Sequence, residues 1–218
     1  GAIGLPATGN AVKLAPVEGK LEMRVRGPNV TPGYWRQPET TAASFDEEGY
    51  YRLGDAVRWI DDQDVERGLM FDGRIAEDFK LSSGTWVSVG PLRAGLLSAL
   101  NPYAQDVVIA GLNRDELGIL IFPDWRACAD FLGVDAASPR DAWPLARLRE
   151  EIGRRLQQHN TAHPGGSTAI RRALLQQEPP SLDKGEITDK GSINQRMVLG
   201  CRAEQVARLY GDVPDSDV

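Results

Sequence analysis

Cysteine is scarce in this chain: of 218 residues, two are cysteines, Cys128 and Cys201. Two thiols make neither a disulfide framework nor a metal cluster, so a reducing cytoplasm is the expected setting. Histidine is equally sparse. His159 and His163 lie beside polar residues and read as structural or solvent-facing rather than as metal ligands. Long apolar runs are missing too. The stretch 117–122 falls far below the roughly 20 residues that cross a bilayer, and no basic-then-apolar leader opens the sequence, so no membrane contact is expected. There is no basic excess. The net charge is −6 and the lysines and arginines are scattered rather than striped, which argues against a nucleic-acid partner. No internal repeat is visible. What remains is a chain with the 41% apolar content of an ordinary globular protein, long enough for one or two domains.

The first part is strand-like and rich in turns. Leu21, Met23 and Val25 alternate with charged residues, as in a sheet with one wet face, and Gly27-Pro28 and Pro32-Gly33 break the pattern. Tyr34 and Trp35 read as core aromatics, with a ligand-facing role as the alternative, and Pro38-Glu39-Thr40-Thr41 reads as the start of a short helix.

The organising stretch is 50–90. Tyr51 and Leu53, then Ala56, Val57, Trp59 and Ile60 after a turn at Gly54-Asp55, read as strands, with the acidic loop 61–64 reversing the chain into Leu69-Met70-Phe71. This arrangement places Gly54-Asp55 at one rim of a small sheet and Asp72-Gly73-Arg74 at another. A carboxylate beside a glycine can accept both hydrogen bonds of a diol while the ligand approaches the backbone. An arginine after a tight turn offers a fork to phosphate or ribose oxygens. The plainer alternatives are that Asp55 caps a turn and that Arg74 pairs with the acidic loop 61–64.

Longer alternation of helix and strand follows Arg74, so a second domain is expected from Ile75-Ala76 onward. Leu92, Leu96, Leu97 and Leu100 share one helical face, which Asn101-Pro102 ends. The runs 107–110 and 117–122 read as paired strands. Residues 141–159 form an amphipathic helix with Leu145, Leu148, Ile152 and Leu156 on its buried side. A strand is expected over 169–175, a single terminal helix over 193–209, and a disordered acidic tail from about 212.

Taken in order, GKLEMRVRGPNVTPGYWRQPETT, YRLGD, DGRIAEDFK, Gly84 and GEITDKGSINQR resemble the late motifs of the adenylate-forming superfamily of acyl-CoA synthetases, luciferase and peptide-synthetase adenylation domains. The resemblance covers nearly the whole chain. The wording WVSVGPLR and EITDKGSINQR is similar, more narrowly, to feruloyl-CoA synthetases, which activate hydroxycinnamic acids.

The resemblance implies an α+β fold: residues 1–75 as the end of a distorted β-barrel subdomain of a large N-terminal domain, and 76–218 as a small lid that swivels about Ala76. It implies ATP, CoA and Mg²⁺ as cofactors, the Mg²⁺ held mainly by an N-terminal part absent from this chain, and a small-molecule carboxylate as substrate. By the same likeness Asp55 and Arg74 hold the ribose side of the nucleotide, and Lys80, Gly84 and Trp86 meet the thioester-forming pose, Gly84 and Trp86 beside the pantetheine tunnel. Trp86 as a plain core residue is the alternative. Of two tail lysines, Lys190 matches the adenylation lysine better than Lys184, because Glu186 follows Gly185 where the family has a lysine; two solvated lysines in a mobile loop is the alternative.

Departures are visible at Leu53, at Ala76 and in the spacing from Lys80 to Gly84, which is one residue longer than usual. No glycine-rich phosphate loop or acid-binding motif is present. The chain therefore reads as the last third of a carboxylate–CoA ligase, inactive alone. An adenylation domain serving a carrier protein or a reductase, and a non-catalytic interaction module, are the other readings.

Overall fold

The computed structural model describes residues 2–211. The chain divides into two compact units, Gly1–Asp78 and Phe79–Val218.

The first unit is an open sheet of five strands: β1 (Ala2–Gly4), β2 (Ala11–Val17), β3 (Lys20–Arg26), β4 (Tyr51–Trp59) and β5 (Leu69–Arg74), ordered β1-β5-β4-β3-β2, with every neighbouring pair antiparallel. The β2–β3 reversal is a two-residue turn in which Glu18 and Gly19 both take positive φ, 49° and 86°, the backbone twist that matches the flanking strands. Helix α1 (Pro38–Ala43) begins on a proline at its first position, whose missing N–H costs nothing there.

Three expectations are corrected in this unit. The chain does not turn at Gly54-Asp55. β4 runs unbroken through both residues: Gly54, at φ 71°, lies where the register to β3 shifts, and the register to β5 shifts separately between Asp55 and Val57. The charged side of β3 is not wet. Glu22 is buried and ion-paired to Arg24 at 2.7 Å, Arg24 also reaches Asp46 at 3.1 Å, and Lys20 lies 2.7 Å from Asp78, so charges on that face satisfy one another. Tyr34 and Trp35 are not core, being 41% and 84% exposed; the Tyr34 hydroxyl bonds that of Tyr51 at 2.6 Å, and Arg36 lies over the Trp35 ring.

The second unit opens with a hairpin, β6 (Phe79–Lys80) and β7 (Trp86–Val87), and continues through α2 (Val89–Leu100), β8 (Ala104–Ala110), β9 (Leu117–Pro123), α3 (Trp125–Leu132), α4 (Leu145–Ala162), β10 (Ile170–Leu175), α5 (Gln195–Cys201) and α6 (Ala203–Leu209). Three strands form a sheet ordered β10-β9-β8, with β8 antiparallel and β10 parallel to the central β9. Every residue of β9 is buried, as a strand covered on both faces requires. Its side chains alternate: Leu117, Ile119 and Ile121 join a large core with residues of α2, α3 and α4, while Leu120 and Phe122 face Val198 and Leu209 of the last two helices.

The helical stripe at Leu92, Leu96 and Leu100 is buried, and so is that at Leu148, Ile152 and Leu156. The latter helix starts at Leu145 rather than 141, because Pro144 precedes it and residues Arg140–Ala142 form a separate 3₁₀ turn. Helix α3 was not expected from the sequence. Its signals are an Asp124 cap accepting from the Arg126 and Ala127 amides and a left-handed Gly133 at its end. The terminal helix is not single but broken at Arg202. The acidic tail expected from 212 lies outside the described residues.

His159 is buried near the end of α4, with its Nε2 3.2 Å from the Thr168 carbonyl and its ring stacked on His163; burial lowers its pKa. No helix is long and apolar enough to cross a membrane among the described residues. Burial pushes the Cys128 thiol up to about 12, whereas Cys201 is exposed. Iodoacetamide at neutral pH is therefore expected to label Cys201 in the folded protein and to spare Cys128 until denaturant is added, as peptide mass spectrometry would record. Equal labelling of both would contradict the packing around α3.

Candidate functional site

In the first unit, Asp55 stands directly opposite Arg74 across the β4–β5 ladder, beside an irregularity in which Asp72 and Gly73 of β5 oppose Ala56 alone, so the two residues expected at different rims share one cross-strand pair. The Arg74 Nε lies 3.5 Å from the Asp55 Oδ1, a loose pair with Arg74 mostly exposed. Asp55 Oδ1 is buried and makes no hydrogen bond. Burial raises the Asp55 pKa, and the Arg74 charge works against that rise. The plainer role for Arg74 does not hold: Asp61 of the acidic loop pairs with Arg67 instead, at 3.0 Å. Ala76 is exposed within the 3₁₀ turn Ile75–Glu77, at the end of β5.

In the second unit, Lys80, Gly84 and Trp86 belong to one hairpin. Lys80 and Trp86 are cross-strand partners, with the Lys80 Nζ 5.5 Å from the indole centroid. Lys80 is exposed, while Trp86 is half-buried with an indole N–H that has no partner. Gly84 closes the turn at φ 81°, its amide donating to the Leu81 carbonyl at 2.9 Å; a Cβ there would meet open space, so only backbone strain opposes substitution. The longer Lys80–Gly84 spacing has a structural use. Ser82 donates its amide to Arg114 at 2.9 Å and its hydroxyl to Asp115, and Asn113 donates to the Lys80 carbonyl at 3.1 Å, which fastens this hairpin to the β8–β9 connection.

Lys190 sits at the tip of a second turn. Ile187 and Ile193 bridge as an antiparallel pair, Thr188 donates to Ser192 and Gly191 to Thr188, both at 2.9 Å, and Gly191 takes φ 79°. Lys190 and Lys184 are both exposed. Glu186, read from sequence as a departure where a lysine belongs, is 2% exposed and ion-paired to Arg202 at 2.8 Å. Arg202 holds its carboxyl below the ordinary glutamate range against the opposing effect of burial. This buried pair went unrecognised because its members stand sixteen positions apart with no shared periodicity.

A cavity of about 760 Å³ also opens between α4 and β10, floored by Ile152, Leu156 and Ile170 and rimmed by Arg149 and Arg171; none of the expected site residues lines it. Among the described residues no group of three or more His, Cys, Asp or Glu side chains could hold a metal ion, so none of them fits Mg²⁺ as a site of its own.

The chain belongs to the family described as the AMP-binding enzyme C-terminal domain, whose pattern matches residues 78–214. Its relatives lie in the adenylate-forming superfamily. A carboxylic acid reductase of Segniliparus rugosus is 24% identical over 196 residues, covering 89% of this chain and 15% of that protein. A chloroplastic long-chain-fatty-acid–[acyl-carrier-protein] ligase of Arabidopsis thaliana is 24% identical over 94% of this chain and 27% of its own length. The chain thus spans less than a third of either curated relative. Among solved structures, the adenylation domain of the Segniliparus rugosus reductase, in complex with AMP and a co-purified carboxylic acid, aligns with a TM-score of 0.70 at 22% identity over 92% of this chain and 31% of its own. That of a Mycobacterium chelonae carboxylate reductase aligns with a TM-score of 0.73 at 24% identity over 93% of this chain and 31% of its own.

Proposed function

We propose that this chain is the C-terminal part of an ATP-dependent acid–thiol ligase. In the proposed reaction a carboxylate oxygen attacks the α-phosphorus of ATP, the bond to the β-phosphate oxygen breaks, and acyl-adenylate and pyrophosphate form. A thiol then attacks the acyl carbon, AMP departs with the electron pair of the acyl–oxygen bond, and the thiol proton passes to solvent. Mg²⁺ bound outside this chain would supply charge neutralisation at the pyrophosphate.

The observation that carries the reading is the buried Asp55 Oδ1 that lacks a hydrogen-bond donor, set beside Arg74. A ribose diol donates to just such an oxygen, and buried acceptors normally find a partner. Arg74 would hold the same sugar or the phosphate beside it. In the second unit, Lys190 would neutralise charge at the α-phosphate during adenylation, Lys80 would serve the thiol-transfer step, and Gly84 and Trp86 would border the pantetheine. Ala76 would be the swivel between the two poses.

For the acid, the likeness of WVSVGPLR and EITDKGSINQR to feruloyl-CoA synthetases supports a hydroxycinnamic acid such as ferulate, with CoA as acceptor. A second reading, in which the acceptor is the pantetheine thiol of a carrier protein, is favoured by the carboxylic acid reductases and the acyl-carrier-protein ligase among the relatives.

The test is pyrophosphate exchange into ATP by the full-length protein against a panel of carboxylates, followed by acyl capture on CoA or on a carrier protein. Exchange with aryl acids and capture by CoA is the expected result. Capture by the carrier alone would favour the second reading, and no exchange with any carboxylate would overturn both. This chain by itself, offering the nucleotide no more than Asp55, Arg74 and Lys190, is expected to show no saturable ATP site of micromolar affinity in calorimetry.

A further inference from the structure

The segment 181–194 carries Lys190, and its geometry depends on a buried polar cluster that the proposed reaction does not use. Arg202 has five N–H donors, and each is satisfied. Nε and one Nη2 hydrogen reach the two carboxylate oxygens of Glu186 at 2.8 and 2.9 Å, the other Nη2 hydrogen reaches the Pro179 carbonyl at 2.8 Å, and Nη1 donates to Gln176 at 3.0 Å and the Glu178 carbonyl at 3.1 Å. The guanidinium also lies over the Phe122 ring of β9, 4.7 Å from its centroid. Arg202 is 7% exposed.

Glu186 meanwhile ties both ends of the segment together. Its carboxylate accepts the Ser181 amide at 2.7 Å, its own amide donates to the Ser181 carbonyl at 2.9 Å, and its carbonyl accepts the Asn194 amide at 2.8 Å. One residue further on, Ile187 and Ile193 close the stem of the Lys190 turn, and Ile193 is buried against Val198 and Leu209. Gln195 then fixes the start of α5 by exchanging both amide bonds with the backbone of Ile109. The break between α5 and α6 falls at Arg202, where the backbone leaves helical geometry at φ −110°, ψ 36°.

We propose that the Glu186–Arg202 pair is a positioning clamp: it fixes the 187–193 turn on the sheet and thereby sets where Lys190 is presented. The proposal rests on the role assigned to Lys190 for its catalytic half, and its structural half stands separately. A bidentate, fully satisfied pair has one geometry, whereas an exposed five-residue turn without it would sample many. Glu186 and Arg202 are positioning residues, since neither reaches the reacting atoms.

Trypsin reads the first half on this chain as it stands, because Lys190 is its own cleavage site. The double variant Glu186→Leu/Arg202→Met keeps apolar volume in place of the pair, so the second unit is expected to unfold within a few degrees of the parent, whereas Arg202→Met alone strands the buried Glu186 carboxylate and is expected to be markedly less stable. Cleavage after Lys190 is expected to accelerate about tenfold or more, tracking the population of the opened turn. Arg202→Lys, which keeps the charge and loses the fork, should fall between. In the full-length protein the same variants should slow adenylation about tenfold or more with thiol transfer from supplied adenylate unchanged, since a displacement near 1 Å costs rate in the step it serves.

Unchanged cleavage after Lys190 in folded double variant would overturn the clamp. So would normal adenylation in a clamp variant when Lys190→Ala is strongly impaired. Faster cleavage with Lys190→Ala itself silent would uphold the clamp as the device that orders the turn and would overturn only the role given to Lys190.

Discussion

Lys190→Ala in the full-length protein is expected to slow acyl-adenylate formation about 100-fold or more, a loss near 3 kcal/mol of the kind seen when one preplaced charge or donor is removed from a transition state. Charge accumulates on the phosphate oxygens as the α-phosphorus becomes five-coordinate, and a cation already in position stabilises it without reorganising. The exposed tip of the Ile187–Ile193 turn gives that lysine reach, and the clamp beneath it gives it direction. Thiol transfer from a supplied adenylate should be nearly unaffected. Lys80→Ala should show the reverse, because Lys80 sits on a separate hairpin, backed by the Trp86 indole and fastened to the β8–β9 connection, which the proposal assigns to the other pose. Rapid-quench assays of each half-reaction decide it. Equal losses for both variants in both assays would point to general destabilisation, and a defect confined to Lys184→Ala would show that the neighbouring lysine carries the charge.

Much of the fold was legible because it rests on periodicity. The stripes at Leu92, Leu96 and Leu100 and at Leu148, Ile152 and Leu156 are buried as their spacing requires, and the strands over 107–110 and 117–122 do hydrogen-bond to each other as neighbours in the sheet. What failed depends on partners distant in sequence. The Gly54-Asp55 pair reads locally as a turn, yet with β3 on one side and β5 on the other the cheaper solution is a glycine bulge inside a continuous strand. Lys20, Glu22 and Arg24 read as a wet face because alternation says nothing about Asp46 and Asp78, which pair with them. Arg202 falls in a helical stretch, and the acceptors that hold it where the helix breaks, Gln176, Glu178 and Pro179, lie more than twenty positions earlier in the chain.

The candidate site was legible in a different way. Asp55 and Arg74 stand out in the sequence singly, for the chemistry of a carboxylate beside glycine and of a forked cation; that they face each other is a fact of register, which a shift of one residue would have reversed. Glu186 shows the opposite case. Judged against a motif it is a missing lysine, and judged by its surroundings it is a buried anchor whose carboxylate makes bonds to Arg202 and Ser181.

The two units differ so much in what they bury that they are expected to differ as sharply in stability. Among the described residues, the buried apolar side chains of the first unit are Ala15, Ala56, Val57 and Leu69, and several larger ones stay in water, Phe71 at 41% exposure among them. The second unit sandwiches β9 between two cores and buries Leu96, Leu100, Ile119, Leu120, Ile121 and Leu148 almost completely. Deleting a fully buried leucine removes its transfer energy and leaves a cavity, so Leu96→Ala is expected to cost about 2–5 kcal/mol. Phe71→Ala, at a site that already faces solvent, should cost under about 1 kcal/mol. Expressed separately, residues 79–211 should give a single cooperative unfolding transition in urea, and residues 1–78 a broad one without a native baseline, because four small or medium side chains cannot offset the entropy of ordering that sheet. Chemical denaturation followed by circular dichroism checks both. A sharp transition for 1–78 alone, or a cost for Phe71→Ala as large as that for Leu96→Ala, would mean that the exposed face of the five-stranded sheet is covered in solution and that the first unit carries a core of its own.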